Sequence, residues 1–183
     1  MAIYIITKNP GKKSAALSIF KPLGIEVEFV DKEYLEIQAD TSLEIARYGA
    51  VQAARDLGQP AIREDHSLFI HALNFPGPYT NYFEKRISCL QLLQLMSQTS
   101  DRSGHFELAL VYAEPNGKTK DFIFTVPITL STEERGTLLS GWARLLMLEG
   151  DTRTLAEYPE AERTHVWNKN YQDIADLLVK GQL

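Results

Sequence analysis

A chain of 183 residues with 44% hydrophobic and 23% charged residues can bury its own core and is far from the composition of a disordered segment. Its net charge of −5 excludes the broad basic face that nucleic-acid backbones require, while leaving room for a small anionic ligand held by a few local cations. The single cysteine, Cys89, excludes an intrachain disulfide, and no apolar run approaches the roughly 20 residues that span a bilayer, so the expected setting is the cytoplasm, without membrane contact.

In chain order, Ala2 to Thr7 predicts a strand, Lys8-Asn9-Pro10-Gly11-Lys12 a turn, and Ala16, Leu17, Phe20 and Leu23 one face of a helix that Gly24 can end. Ile25 to Val30 alternates apolar and acidic residues, as a strand with one buried face does. Thr41 or Ser42 caps a second helix, whose stripe of Leu43, Ile45, Ala46, Ala50, Ala53 and Leu57 stops at Gly58. Pro60 opens a strand that ends at Arg63-Glu64-Asp65. Leu68-Phe69-Ile70 is a separate short apolar run, Phe75 to Pro78 an irregular loop, and about Phe83 to Met96 a helix holding Cys89 as a packing thiol. Phe106 to Tyr112 and Phe122 to Val126 flank Asn116-Gly117 as a hairpin. Gly141 to Gly150 is ambiguous, with the good helix formers Trp142 to Met147 set between glycines, and about Lys169 to Lys180 is an amphipathic helix. With no repeat and no linker, residues 1–183 read as a single α/β domain.

Three places carry chemistry. The strand-to-helix loop from Thr7 to Lys12 has backbone N–H groups and a helix dipole that favour an anion, with Lys12 as its counter-charge; a plain polar connection fits the same residues. The spacing is not that of a Walker loop. Glu36, and the pair Glu64-Asp65 at a strand end, are carboxylates of the kind that hold Mg²⁺ against a phosphate, although each alone equally reads as a surface acid. His66 and His71 fall on opposite faces of a strand and lack further nearby ligands, which argues against zinc, and no Gly-x-Ser-x-Gly elbow supports a serine nucleophile.

Taken in order, Thr7-x-Asn9-x-x-Lys12, Glu36-Ile37-Gln38, Glu64-Asp65-x-x-Leu68 and Ala72-Leu73-Asn74-Phe75-Pro76-Gly77-Pro78-Tyr79-x-x-x-Phe83 resemble the motifs of the inosine triphosphate pyrophosphatases. Gly141-Trp142, Thr154-x-Ala156-Glu157 and Thr164-His165 follow in the family's order, so the resemblance covers nearly the whole chain, most densely in its first half. It implies a long mixed sheet flanked by helices, in two lobes with a central nucleotide cleft, assembled as a homodimer. It further implies Mg²⁺-dependent hydrolysis of ITP, dITP or XTP to the monophosphate and pyrophosphate. By that resemblance Thr7, Asn9 and Lys12 bind the phosphates, and Glu36 and Asp65 hold the metal. Asp65 or Glu64 helps to activate water, while Trp142 stacks on a base read near His165.

The chain departs from that pattern at several positions. Gly49 stands where the family has a phosphate-binding lysine in Glu-Ile-x-x-x-Lys-Ala, and Asn81 where it has another in Pro-Gly-Pro-Tyr-x-Lys-x-Phe. His66 and Ser67 follow Asp65 where small residues are usual. Ala143 and Val166 replace an aspartate and an arginine of the base-reading motifs, each charged hydrogen bond being worth about 1.5–3 kcal/mol. Arg47 and Arg144 are the candidates to replace the missing cations. A second reading follows: a degenerate member that binds a nucleotide or a partner subunit without efficient catalysis.

Overall fold

The computed structural model describes residues 2–32, 34–35 and 37–183. One seven-stranded mixed sheet carries the fold, in the order β2-β1-β3-β5-β6-β7, with β4 paired to β3. The strands are β1 (Ile3–Ile6), β2 (Val27–Val30), β3 (Ala61–Ile70), β4 (Phe75–Gly77), β5 (Ser103–Ala113), β6 (Thr119–Leu130) and β7 (Leu146–Leu148). The helices are α1 (Pro10–Phe20), α2 (Ser42–Leu57), α3 (Thr80–Glu84), α4 (Cys89–Leu95), α5 (Glu160–Arg163) and α6 (Lys169–Val179). Contacts group the chain into two compact units. The first holds residues 1–65, 108–124 and 164–183, and the second holds 66–107 and 125–163. Among the described residues no helix is long and apolar enough to cross a membrane.

The first unit is a parallel βαβ arrangement, with β1 pairing β2 on one side and β3 on the other. Strand alternation decides what each helix covers. Ile3, Ile5, Ile62, Leu110 and Tyr112 face one way and pack with Ala15, Ala16 and Phe20 of α1 and Tyr171, Ile174 and Ala175 of α6. Ile6, Ala61, Ala109, Val111 and Ala113 face the other way, against Ala46, Ala50, Ala53 and Ala54 of α2. The small residues on this second face let α2 lie close to the sheet. Its ends are stated in sequence: Thr41 and Glu44 form a reciprocal capping box, and Gly58 closes it at φ 63°. The first helix differs from expectation. It ends at Phe20; Ala16 and Phe20 of the predicted stripe are buried together with Ala15, while Leu17 and Leu23 are exposed.

In the second unit three expectations fail. Phe75 to Gly77 forms β4, antiparallel to Leu68–Ile70, instead of an irregular loop. The run Leu68–Ile70 is no separate element: β3 is continuous from Ala61, and Thr80 Oγ1 accepts from Leu68 N at 2.7 Å while donating to Gly77 O at 2.7 Å. The long helix expected over Phe83 to Met96 is split into α3 and α4. Ser88 begins the second of these with its own capping box to Gln91, and the Trp142 indole takes the Ile87 carbonyl at 2.7 Å. Gly141 to Gly150 resolves into a 3₁₀ turn followed by β7, which pairs with β6. Cys89 is buried and donates to Gly141 O at 3.1 Å; burial pushes its thiol pKa up. The hairpin β5–β6 runs longer than expected around the turn at Asn116-Gly117.

At Gly104 in β5 a Cβ would stand 2.5 Å from Phe69 O and 2.9 Å from Ile128 Cδ1, and backbone on a central strand has no room to retreat. Gly104→Ala is therefore expected to lower the unfolding free energy by about 2–3 kcal/mol, read from urea denaturation with an unchanged m-value.

Candidate active site

Strand β1 stops at Ile6, whose partner on β3 is Arg63, so Glu64 and Asp65 run on past the end of their parallel neighbour. The pair is thus in the middle of a ten-residue strand, not at its end as the sequence suggests, yet still at the carboxyl edge of β1. Tyr4 N donates to Pro60 O at 3.2 Å, and carbonyls two residues apart point the same way along a strand edge. Glu64 O therefore turns toward the β1 side, where no strand remains to meet it. Lys12 fills that place: its Nζ donates to Glu64 O at 2.7 Å. A charged hydrogen bond of this kind is worth about 1.5–3 kcal/mol, enough to hold the ammonium beside Asp65.

The connection that brings Lys12 there is a capped turn. Asn9 N donates to Thr7 Oγ1 at 3.1 Å, and Asn9 Oδ1 accepts from Gly11 N at 2.8 Å and Lys12 N at 3.3 Å. Pro10 has no N–H, and Lys13 N donates to Asn9 O at 3.1 Å. The expectation of first-turn amides open to an anion is corrected by this geometry, because Asn9 satisfies them. Lys12 contributes a positive charge and Asn9 Nδ2 contributes N–H donors to this loop.

The acidic pair is divided between the two faces of the sheet. Glu64 shares a face with Ile62 and is 4% exposed, and its Oε2 accepts from the Tyr171 hydroxyl at 3.0 Å. Tyr171 is itself fully buried, set edge-on to Phe20. Burial first, and the Glu64 carboxylate second, raise its hydroxyl pKa well above 10. Through this bond Glu64 ties β3 to α6. Asp65 lies on the opposite face with Arg63, toward α2, and is only partly buried.

Other candidates divide as follows. Glu36 lies outside the described residues, and among those described no group of three or more His, Cys, Asp or Glu is placed to hold a metal. His71 Nε2 hydrogen-bonds His105 Nδ1 at 2.8 Å, and His71 Nδ1 meets Ser103 Oγ at 2.9 Å, both within the second unit. Trp142, the residue the resemblance sets against a base, is packed into the second unit. It is 1% exposed, donates Nε1 to Ile87 O, and takes Glu84 Oε1 on its backbone N–H at 2.9 Å. His165 is exposed in a 3₁₀ turn of the first unit. Of the two candidate replacement cations, Arg47 is ion-paired with Asp121, and Arg144 with Glu134 at 2.7 Å. The cation beside Gly49 is Arg63, which the sequence reading overlooked. A Cβ on Gly49 would be 3.3 Å from Arg63 Cγ. Only the face-sharing of positions 63 and 65 hinted at it.

Replacing Tyr171 by Phe would leave a buried carboxylate oxygen without its donor and is expected to cost about 1–3 kcal/mol near neutral pH. Because the folded pKa is raised, the unfolded tyrosine loses its proton first. The contribution is therefore complete below pH 10 and declines above it, by up to about 1.4 kcal/mol per pH unit. Denaturation curves between pH 8 and 11 should show Tyr171→Phe losing part of the wild type's alkaline slope.

Comparison with known proteins places the chain among relatives. The model of the Ham1 family matches residues 3–170. The dITP/XTP pyrophosphatase of Methanopyrus kandleri is 38% identical over 167 residues, covering 91% of this chain and 89% of that protein. Its counterpart from Methanothermobacter marburgensis is 40% identical over 164 residues, covering 89% of this chain and 87% of that protein. Among solved structures, a HAM1 protein from Coxiella burnetii superposes with a TM-score of 0.83 at 20% identity, over 99% of both chains. The Staphylococcus aureus Ham1 protein does so with 0.81 at 23% identity, over 100% of both, so the fold is shared with each.

Proposed function

The chain belongs to the Ham1 family, and on that premise we propose that it hydrolyses nucleoside triphosphates such as ITP, dITP or XTP to the monophosphate and pyrophosphate. The observation that carries this reading is the Lys12 ammonium fixed on the Glu64 carbonyl, one residue from the half-buried carboxylate of Asp65. A cation and a base held at the same edge of a strand are what cleavage between the first two phosphates requires.

In this reading Lys12 and the amide of Asn9 draw in the phosphates, with the Thr7 hydroxyl holding the loop's shape. Asp65 accepts a proton from water as that water attacks the first phosphorus. The bond from that phosphorus to its bridging oxygen breaks, and the electron pair leaves with pyrophosphate. Glu64, locked beneath Tyr171, keeps β3 from shifting as charge moves past it. A hard divalent cation suits an all-oxygen donor set, so Asp65 and Glu36 are the residues that would hold Mg²⁺. Such an ion, when bound, neutralises phosphate oxygens and the leaving pyrophosphate. The homodimer and the cytoplasmic setting belong to the same reading. The filled first-turn amides, with Ala143 and Val166 in place of charged base-readers, favour a broader choice of base than the resemblance implies.

Purified protein with Mg²⁺ is expected to release pyrophosphate from ITP, dITP or XTP. Asp65→Ala should lose at least about 100-fold in kcat/KM, and chelation with EDTA should abolish turnover. Release no faster than in Asp65→Ala would defeat the hydrolase. Tight nucleotide binding in the same samples would then point to the degenerate, binding-only alternative.

A further inference from the structure

Gly49 lies buried near the middle of the sixteen-residue helix α2, where its conformation makes no special demand. Glycine at such a place costs about 1 kcal/mol relative to alanine, so its presence calls for a reason of space. The reason is visible in the contacts a Cβ would make. It would stand 3.3 Å from Arg63 Cγ, 3.6 Å from Cδ and 3.7 Å from Nε. The whole stem of Arg63 passes over the one position on this face of α2 that has no side chain.

We propose that Arg63, housed against Gly49, is a substrate-binding residue that supplies a second positive charge to the polyphosphate site alongside Lys12. The inference deepens the hydrolase reading and rests on it for the identity of the natural ligand. Four observations converge. Arg63 and Asp65 share one face of β3, two residues apart. The register sets Arg63 opposite Ile6, the last residue before the Thr7 to Asn9 connection. Lys12, at the end of that connection, is bonded to the carbonyl of the residue between Arg63 and Asp65. Finally, the stem lies against Gly49 on a helix face that also buries Ala46, Ala50 and Ala53, and an arginine can bury its methylenes on such a surface while its head reaches outward. The planar fork of a guanidinium matches two phosphate oxygens at once, which the Lys12 ammonium cannot do. Arg63 lies on the α2 side of β3 and Lys12 reaches the carbonyl of Glu64, the residue between Arg63 and Asp65.

The test uses inorganic tripolyphosphate, which carries the charge of the ligand without a base, titrated calorimetrically into the full chain. Arg63→Met is expected to bind it roughly 10- to 100-fold more weakly than the wild type, and Arg63→Lys to recover part of the loss. For ITP hydrolysis the same substitution should raise KM by a similar factor while kcat stays within about 3-fold, the pattern of a group that binds ground and transition states alike. Gly49→Ala keeps the charge and improves the helix, yet crowds the stem. It should weaken tripolyphosphate binding by about 3- to 10-fold while the melting temperature holds or rises. A purely structural arginine would instead lower the melting temperature and leave affinity alone. Equal affinity in the wild type, Arg63→Met and Gly49→Ala, or no binding by the wild type at all, overturns the inference. A wild type that releases no pyrophosphate, yet binds tripolyphosphate in an Arg63-dependent way, defeats the hydrolase reading and leaves this one standing.

Discussion

The first strand of the sheet is short, and that mismatch shapes everything near the site. Where β1 ends at Ile6, β3 continues, and a carbonyl that a backbone N–H would otherwise meet accepts a lysine ammonium instead. A sheet edge with unmet hydrogen-bonding groups inside a fold must be satisfied by something. Here the satisfying group is charged, so a requirement of strand geometry becomes a means of fixing positive charge beside Asp65.

Alternation along β3 then divides the labour of adjacent residues. Ile62 and Glu64 turn toward α1 and α6, and Arg63 and Asp65 toward α2. On the first face a carboxylate is buried, where it is tolerated because the Tyr171 hydroxyl meets it; an unpartnered ion at that depth would be far more costly. On the second face the floor is built of alanines and Gly49, thin enough for a long cationic stem to lie across it. Two neighbours in sequence with the same charge type thus end in opposite roles, one holding the strand and one facing the chemistry.

The base-binding side has the opposite history. Trp142 sits where an aromatic residue is expected, yet its indole nitrogen and backbone N–H are both committed, to Ile87 O and Glu84 Oε1. Gly141 shows how tight that arrangement is, since a Cβ there would lie 2.4 Å from Glu84 Oε1. The aromatic ring has become part of the packing of the second unit. His165 is exposed in a 3₁₀ turn of the first unit.

The parts of this protein written into local sequence are those governed by short-range rules. The helix start at Thr41 or Ser42, the stop at Gly58, the Asn-Gly hairpin turn and the strand–loop–helix order from Ile3 to Phe20 need only neighbouring residues to form, and all were legible. So was family membership, since spaced motifs survive as strings. Tertiary structure alone decided the rest. Whether Phe75 to Gly77 pairs, and where α3 gives way to α4, depends on partners as distant as Thr80 and Trp142. That Glu64 is buried follows from Tyr171, 107 positions along the chain, and that Arg63 lies over Gly49 follows from the packing of α2 on β3. A string of residues records which charges are available, but the face and depth at which each one works are set by what packs against it.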